Sequence, residues 1–450
     1  MKFLTIKKII TATSVAVVII TGNYSCNIDK LTDPNNPSVE AIELAATVEE
    51  MNNLVTGSLS SMRIDLSTYV DACGMIGREY YYFSGADPRF TADLLGKEAS
   101  QLDNNTFYLL RPWAARYRTV RNCWILRHSI ENTIISETEL SVEEKNGYLG
   151  FAKTIQAYEI LLNLNMTFDN GVRLDVEDPD ALGSIVGYLG GLDGISALLD
   201  DAYTNLQNAG GTFRFTLSGG FAGFDTPADF AKFNRGIKAR VAVYHEDWAG
   251  AEDALNNSFL DLAGALGTGV YHVYSTGPGD QLNDIYLAAN LEPGGLARCA
   301  HNSFVTEAEA GDLRLSKAPA RDETAVQDGL SSDYDVFIYP DDLTPVCLIR
   351  NEELILIYAE VKAQTGAAGD AESAINTIRT IAGGLPEYSG GTSTDELINE
   401  ILKQRRYSLF AEAHRWIDMR RYGKLDELPI DRPADDVWQE FPLPADEASF

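Results

Sequence analysis

Glu412, Arg415, Asp418 and Arg421 place two acids and two bases at spacings of three residues, where side chains on a helix meet. Such a set could exchange protons with a substrate. Opposite charges so spaced ordinarily pair with one another, so they are read here as ion pairs, with Trp416 among them as core. The carboxylate pair of a glycosidase cannot be picked out of 66 acidic residues. The chain has no G-x-S-x-G, H-E-x-x-H, Walker or G-x-G-x-x-G pattern, and its five histidines are scattered. The expectation is a protein that binds without turning its ligand over, with no catalytic residue, cofactor or metal ion. Its binding candidates are aromatic: Tyr80, Tyr81, Tyr82 and Phe83 in one run, and Tyr271, Tyr274 and Tyr286 in a later tract. A tyrosine offers an apolar face to a sugar ring or a peptide side chain, and a hydroxyl for hydrogen bonding.

Charge and termini narrow the setting. A formal net charge of -30, from 66 acids against 36 bases, repels phosphate backbones and argues against a nucleic-acid partner. Lys2, Lys7 and Lys8 precede an apolar run from Ile9 to Ile20, too short to span a hydrocarbon core that needs about 20 apolar residues. The run ends at Ser25-Cys26, a small residue before a cysteine, as a lipoprotein signal peptidase requires. Residues 1–25 are therefore expected to be a signal peptide and Cys26 to carry lipid. Residues 26–38, rich in Pro and Asn, would form a polar tether, and 39–450 a single body. Cys73, Cys123, Cys299 and Cys347 lack zinc or redox spacing; they allow three disulfide connectivities or buried free thiols.

Helical signals dominate the body. Leu354, Ile357, Tyr358 and Val361 follow one buried face, leaving Glu352, Glu353 and Lys362 for solvent. A break at TGAAGD precedes a second helix carrying Ala371, Ala374, Ile375, Ile378 and Ile381, with Asp370 as its cap and Gly383-Gly384 as its stop. An earlier hairpin turns at Glu246 to Gly250 and repeats the small residues as Ala251 and Ala254, the close-packing device of tetratricopeptide hairpins. Further helices are expected around Tyr148 to Met166 and Leu192 to Leu206. Residues 264–345, rich in Gly, Pro, Asp and Asn, and the aromatic tract from Glu79 to Asn105 read as irregular loops on this scaffold.

The tract from Ser393 to Gly423 reads as one long helix, opened by Ser393 and Glu396 at capping-box spacing. It carries Gln404, Arg405, Arg406, Glu412, Arg415, Trp416, Asp418, Arg421 and Gly423, and so resembles the C-terminal signature of the SusD/RagB family. Ala413 stands where that signature has Gly, read here as a mild change at a helical position. LIRNEELILIYAEVKAQTG, AINTIRTIAG and FPLPADE resemble further family segments in order, as do Asp312 with Arg314, KARVAVYHEDW and PWAARYRTVRNCW. The resemblance implies an all-helical body of tetratricopeptide-like hairpins with long irregular loop insertions, the loops forming the ligand site. It also implies a nutrient-binding lipoprotein on the outer face of the outer membrane, capturing an oligosaccharide or peptide for a SusC-like, TonB-dependent barrel. A secreted glycan hydrolase and a tetratricopeptide scaffold for protein assembly are the rival readings.

Overall fold

The structure, a computed structural model, describes residues 45–178 and 181–447. The expected signal peptide, lipidation at Cys26 and tether therefore lie outside the described residues. Helices carry the framework: α1 (Val48–Ser61), α2 (Leu66–Ile76), α3 (Phe107–Glu131), α4 (Val142–Thr167), α5 (Tyr188–Gln207), α6 (Pro227–Tyr244), α7 (Trp248–Asn256), α8 (Asn351–Gln364), α9 (Ala368–Thr377), α10 (Thr394–Ser408) and α11 (Arg415–Arg421). Successive helices from α3 to α7 pack on one another, and α8 packs against α9 and α10, in antiparallel hairpins of tetratricopeptide type. Their ends follow from local chemistry. Thr47 with Glu50, Ser141 with Glu144 and Ser393 with Glu396 form reciprocal capping boxes at the starts of α1, α4 and α10.

The two hairpins read from sequence are present, with adjusted turns. α6 runs to Tyr244 and α7 starts at Trp248, so the turn is His245 to Asp247, and Asp247 caps α7 through the Gly250 N–H at 2.9 Å. Asp370 does not cap α9; that helix starts two residues earlier, placing Asp370 in its first turn. Ala251, Ala254, Ala371 and Ala374 are buried, as close helix approach requires.

α8 departs most from expectation. Leu354, Ile357 and Val361 are buried, but so are Ile355, Leu356, Ala359, Glu352, Glu353 and Glu360. The helix lies between α6, α7, α9 and α10, so it has almost no solvent face, and an arginine from a neighbouring element reaches each of its buried acids.

Strands account for the tracts that read as loops. β1 (Tyr80–Ser84), β5 (Leu296–Ala300), β6 (Ala320–Gln327) and β7 (Leu330–Asp335) make an antiparallel sheet in the order β1-β5-β7-β6. β2 (Val172–Arg173) pairs with β3 (Ile185–Val186), and β4 (Gly269–His272) with β8 (Val346–Arg350). The span 264–345 thus contains four strands and is less irregular than its composition suggests. The sheet joins the Tyr80–Phe83 run to the span 264–345 through β5, with Tyr80 opposite Ala300 and Tyr82 opposite Arg298, while Tyr271 lies in the separate β4–β8 pair.

The signature tract is two helices. Between α10 and α11 the chain takes left-handed backbone at Ala411 (φ 59°) and Ala413 (φ 64°). Ala413 is therefore not at a helical position. The glycine of the family pattern suits this site by its backbone freedom, and alanine here carries strain.

Candidate binding site

The aromatic candidates separate on burial. Tyr80, Tyr81 and Phe83 are at most 3% exposed, because both faces of β1 are covered. The Tyr80 hydroxyl donates to Asp71 Oδ1 at 2.9 Å, and Phe83 stacks on Tyr81 at 5.4 Å. These three rings have no free face for a ligand; they are strand core, as an aromatic run on a doubly covered sheet should be. Tyr82 keeps part of its ring at the surface, with Phe90 at its edge and Arg298 above it. Arg298 also grips Asp71 through two bonds of 2.7 and 2.8 Å. Tyr286 is partly buried, and no ring contact among the described residues joins the Tyr80–Phe83 run to the later tyrosines.

Tyr271 lines a cleft of about 460 Å³, bordered by the end of α1, the segment 216–221, and β4 with the turn that follows it, whereas Tyr274 is buried and does not line it. Each wall has a local cause. After β4 the chain turns at Gly279 (φ 82°), a backbone suited to glycine, and Ser275 fixes the turn by donating to Asp280 Oδ2 at 2.7 Å. Gln281 ties it to α1 through 3.0 Å bonds to the Ser60 carbonyl and hydroxyl. Gly220 sits so close to the Tyr271 carbonyl that a side chain there would collide with it, which seats 216–221 against β4.

The floor is charged but balanced. Arg63 donates to the Val273 carbonyl at 2.7 Å, pairs with Asp280 at 2.7 Å and lies 5.5 Å from the centre of the Tyr274 ring. Burial opposes the charge of Asp280, but the Ser275 hydroxyl, the Gln281 backbone and Arg63 together hold its carboxyl below the usual range. His272 is pushed down to about 3, by burial first and then by Arg116 and Arg63, so it is neutral at physiological pH. Its Nε2 is buried without a protein partner. Around this floor stand the hydroxyls of Thr56, Ser60, Thr216 and Ser218 and the apolar surfaces of Leu59, Leu217, Phe221 and Tyr271.

This arrangement offers hydrogen bonds, a half-buried aromatic face and one compensated ion pair, which is binding chemistry. Asp280 is the one carboxylate lining the cleft, so the paired acids of glycoside hydrolysis are not assembled in it. Among the described residues no group of three or more His, Cys, Asp or Glu is placed to hold a metal ion. Of the tyrosines expected from the sequence, Tyr271 lines this cleft and Tyr274 does not; Arg63, His272, Phe221 and Asp280 also line it and were not among the candidates. Only the turn-forming Pro278-Gly279 gave any local signal.

The signature residues are structural. Glu412 pairs with Arg350 at 2.5 Å, and Asp418 with Arg405 at 2.6 Å and Arg421 at 3.1 Å. Most of these pairs cross between elements instead of running along one helix, and they are buried. Arg415 makes no ion pair among the described residues; Trp416 is fully buried. Cys73, Cys123, Cys299 and Cys347 are free, so no disulfide joins them. Burial pushes each of the four thiols up to about 12. No described helix is long and apolar enough to cross a membrane.

Known proteins agree with this architecture. The SusD family model matches residues 342–441. A SusD-like protein of Formosa agariphila is 32% identical over 130 residues, 27% of this chain and 26% of that protein, so the match spans about a quarter of the relative's length. A SusD superfamily protein of Bacteroides vulgatus superposes with a TM-score of 0.65 at 17% identity, covering 90% of this chain and 97% of that one. One from Parabacteroides distasonis gives 0.64 at 15% identity, with the same coverage. A structure described as a SusD-like carbohydrate binding protein, also from Bacteroides vulgatus, gives 0.55 at 15% identity over 84% of this chain and 83% of that one. Residues 342–441 thus match the SusD family model, and the chain shares the fold of these solved structures.

Proposed function

We propose that this protein is a nutrient-binding lipoprotein of the outer membrane that captures an oligosaccharide, or a peptide, in the Tyr271 cleft without cleaving it. It then delivers the ligand to a SusC-like, TonB-dependent barrel. The observation that carries the binding role is the cleft itself: about 460 Å³ walled by Tyr271, Phe221 and four hydroxyl side chains over the Arg63–Asp280 pair and the unpartnered His272 Nε2. Its mixed lining suits a ligand with alternating apolar faces and hydroxyls, which favours a sugar. The carbohydrate-binding relative supports the same class, and the fold supports a capture role beside a transporter. Tyr271 replaces the β1 aromatics as the principal contact; Tyr82 and Tyr286 retain partly exposed rings and form a second set to examine. Titration calorimetry against a panel of oligosaccharides and peptides, with product analysis, tests this reading. Tyr271→Ala should weaken binding by roughly 1 to 3 kcal/mol while the fold is kept. Cleaved product would identify an enzyme, and unchanged affinity in both Tyr271→Ala and Phe221→Ala would move the site elsewhere.

A further inference from the structure

A second pocket, of about 500 Å³, shares no lining residue with the Tyr271 cleft. It lies where the start of α5, the α6–α7 turn, the end of α8 and α11 come together. Phe168 and Tyr188, with ring centres 4.4 Å apart, Trp248 and Tyr422 give it aromatic walls. Three of its buried polar atoms have no protein partner: the Tyr188 hydroxyl, Arg420 Nε and Arg421 Nε. The two guanidinium atoms can only donate, so an occupant must bring acceptors.

Arg420 makes the demand specific. It is 6% exposed, and most comparably buried arginines hold a carboxylate: Arg240 has Glu353, Arg298 has Asp71, Arg405 has Asp418, and Arg421 has Glu360. Arg78 lacks one but is surrounded by carbonyl oxygens. Arg420 has two carbonyls, those of Gln439 at 3.0 Å and Asn165 at 2.9 Å, and no ion pair among the described residues. Its guanidinium lies 4.2 Å from the centre of the Phe168 ring, so the cation borders the aromatic wall. Arg420 also falls at a position that the signature read from sequence leaves unspecified, unlike Arg421. The scaffold pairing of the other arginines therefore does not account for it. A buried cation is costly unless an anion meets it. Burial pushes the Tyr188 hydroxyl up against Arg420 and Arg421, and Asp169 and the exposed Glu246 on the same rim add to that push, so these two acids limit how much negative charge fits. One carboxylate is accommodated better than a phosphate dianion.

We propose that this pocket binds a carboxylated sugar ring, a uronic acid unit, its carboxylate drawn to Arg420, its ring against Tyr188 and Trp248. The ligand class rests on the reading of the protein as a glycan-capture protein. The pocket would give such a protein a subsite that separates acidic from neutral glycans.

The test uses the whole protein, with trigalacturonic acid and its carboxyl-reduced neutral counterpart as probes in titration calorimetry. The acidic probe should bind at least tenfold more tightly than the neutral one. Arg420→Gln and Trp248→Ala should each remove most of that preference, and Tyr188→Phe should weaken binding severalfold. Tyr271→Ala should leave the preference in place. Because Arg420 also ties down two carbonyls, circular dichroism and melting of each variant accompany the titration, and Trp248→Ala and Tyr188→Phe report on the pocket if Arg420→Gln fails to fold. Equal affinity for the two probes, no binding of the acidic probe, or a preference untouched by Trp248→Ala and Tyr188→Phe would overturn the proposal. Neutral glycan binding lost in Tyr271→Ala would still uphold the first cleft, so the two readings fail separately.

Discussion

At the residue scale, Ala413 shows how a substitution can be misjudged from sequence. Read as helix, alanine for glycine is an improvement; at φ 64° it is a strained choice, costing about 1 to 2 kcal/mol of backbone energy. The side chain is 4% exposed, so its methyl recovers up to about 0.8 kcal/mol by burial. The strain exceeds that gain by roughly 0.2 to 1.2 kcal/mol. Ala413→Gly should therefore change stability by at most about 1.2 kcal/mol, whereas Ala413→Val, β-branched and left-handed, should cost at least about 2 kcal/mol. Urea denaturation of the three proteins checks this, and a tolerated valine would show that the loop relaxes out of the left-handed region. Tyr80, Tyr81 and Phe83 were misplaced for a related reason. Which face of an aromatic run is covered depends on β5, more than 200 residues away, and nothing local encodes that partner. Tyr271 drew notice because it stands amid turn-forming residues, but the rest of its cleft comes from its own segment and from two distant ones, 56–63 and 216–221.

At the element scale, the helices were readable because a period of 3.6 and capping boxes are local signals; their buried charges were not. Glu353 on α8 looked free for solvent, yet Arg240 on α6 meets it at 2.7 Å through Nε and again through Nη2, while Nη2 also donates to the Leu348 carbonyl. Burial opposes the charge on Glu353, but Arg240 and then His414 outweigh it, lowering the carboxyl from 4.5 to about 2. A depressed carboxylate contributes stability that is full above its unfolded value and is lost as pH falls through the folded one. The contribution of this pair should therefore fade from about pH 4.5 to pH 2, and melting of Glu353→Gln should lose its deficit relative to the parent across that window. Near neutral pH, Glu353→Gln should cost about 3 to 5 kcal/mol, because it leaves the Arg240 cation buried and unpaired. Arg240→Met combined with Glu353→Leu should recover most of that loss. A double variant no more stable than the single one would show that the pair stabilises beyond mutual neutralisation.

At the scale of the whole molecule, the acidic surplus of 66 over 36 falls on the surface, since the arginines buried in ion pairs are matched one for one by buried acids. An anionic body is repelled by anionic lipid headgroups, so the proposed membrane residence would rest on an anchor or a docked partner and not on surface charge. The sequence supplies one candidate in Cys26, and the described body begins at residue 45. The chain between them has a contour length of at most about 65 Å, so on the proposed function the anchor and the body need not touch. Anchoring and ligand capture are thus separable duties. Cys26→Ala should release the protein from membranes and abolish growth on the captured glycan, yet leave the affinity of the purified protein for that glycan unchanged. Fractionation, growth and calorimetry on the same variant check the three parts. From wild-type membranes, affinity purification should recover an outer-membrane barrel with the lipoprotein. Recovery of the lipoprotein alone, or full membrane retention of Cys26→Ala, would break the link between anchor and transporter while leaving the cleft to be judged on its own titrations.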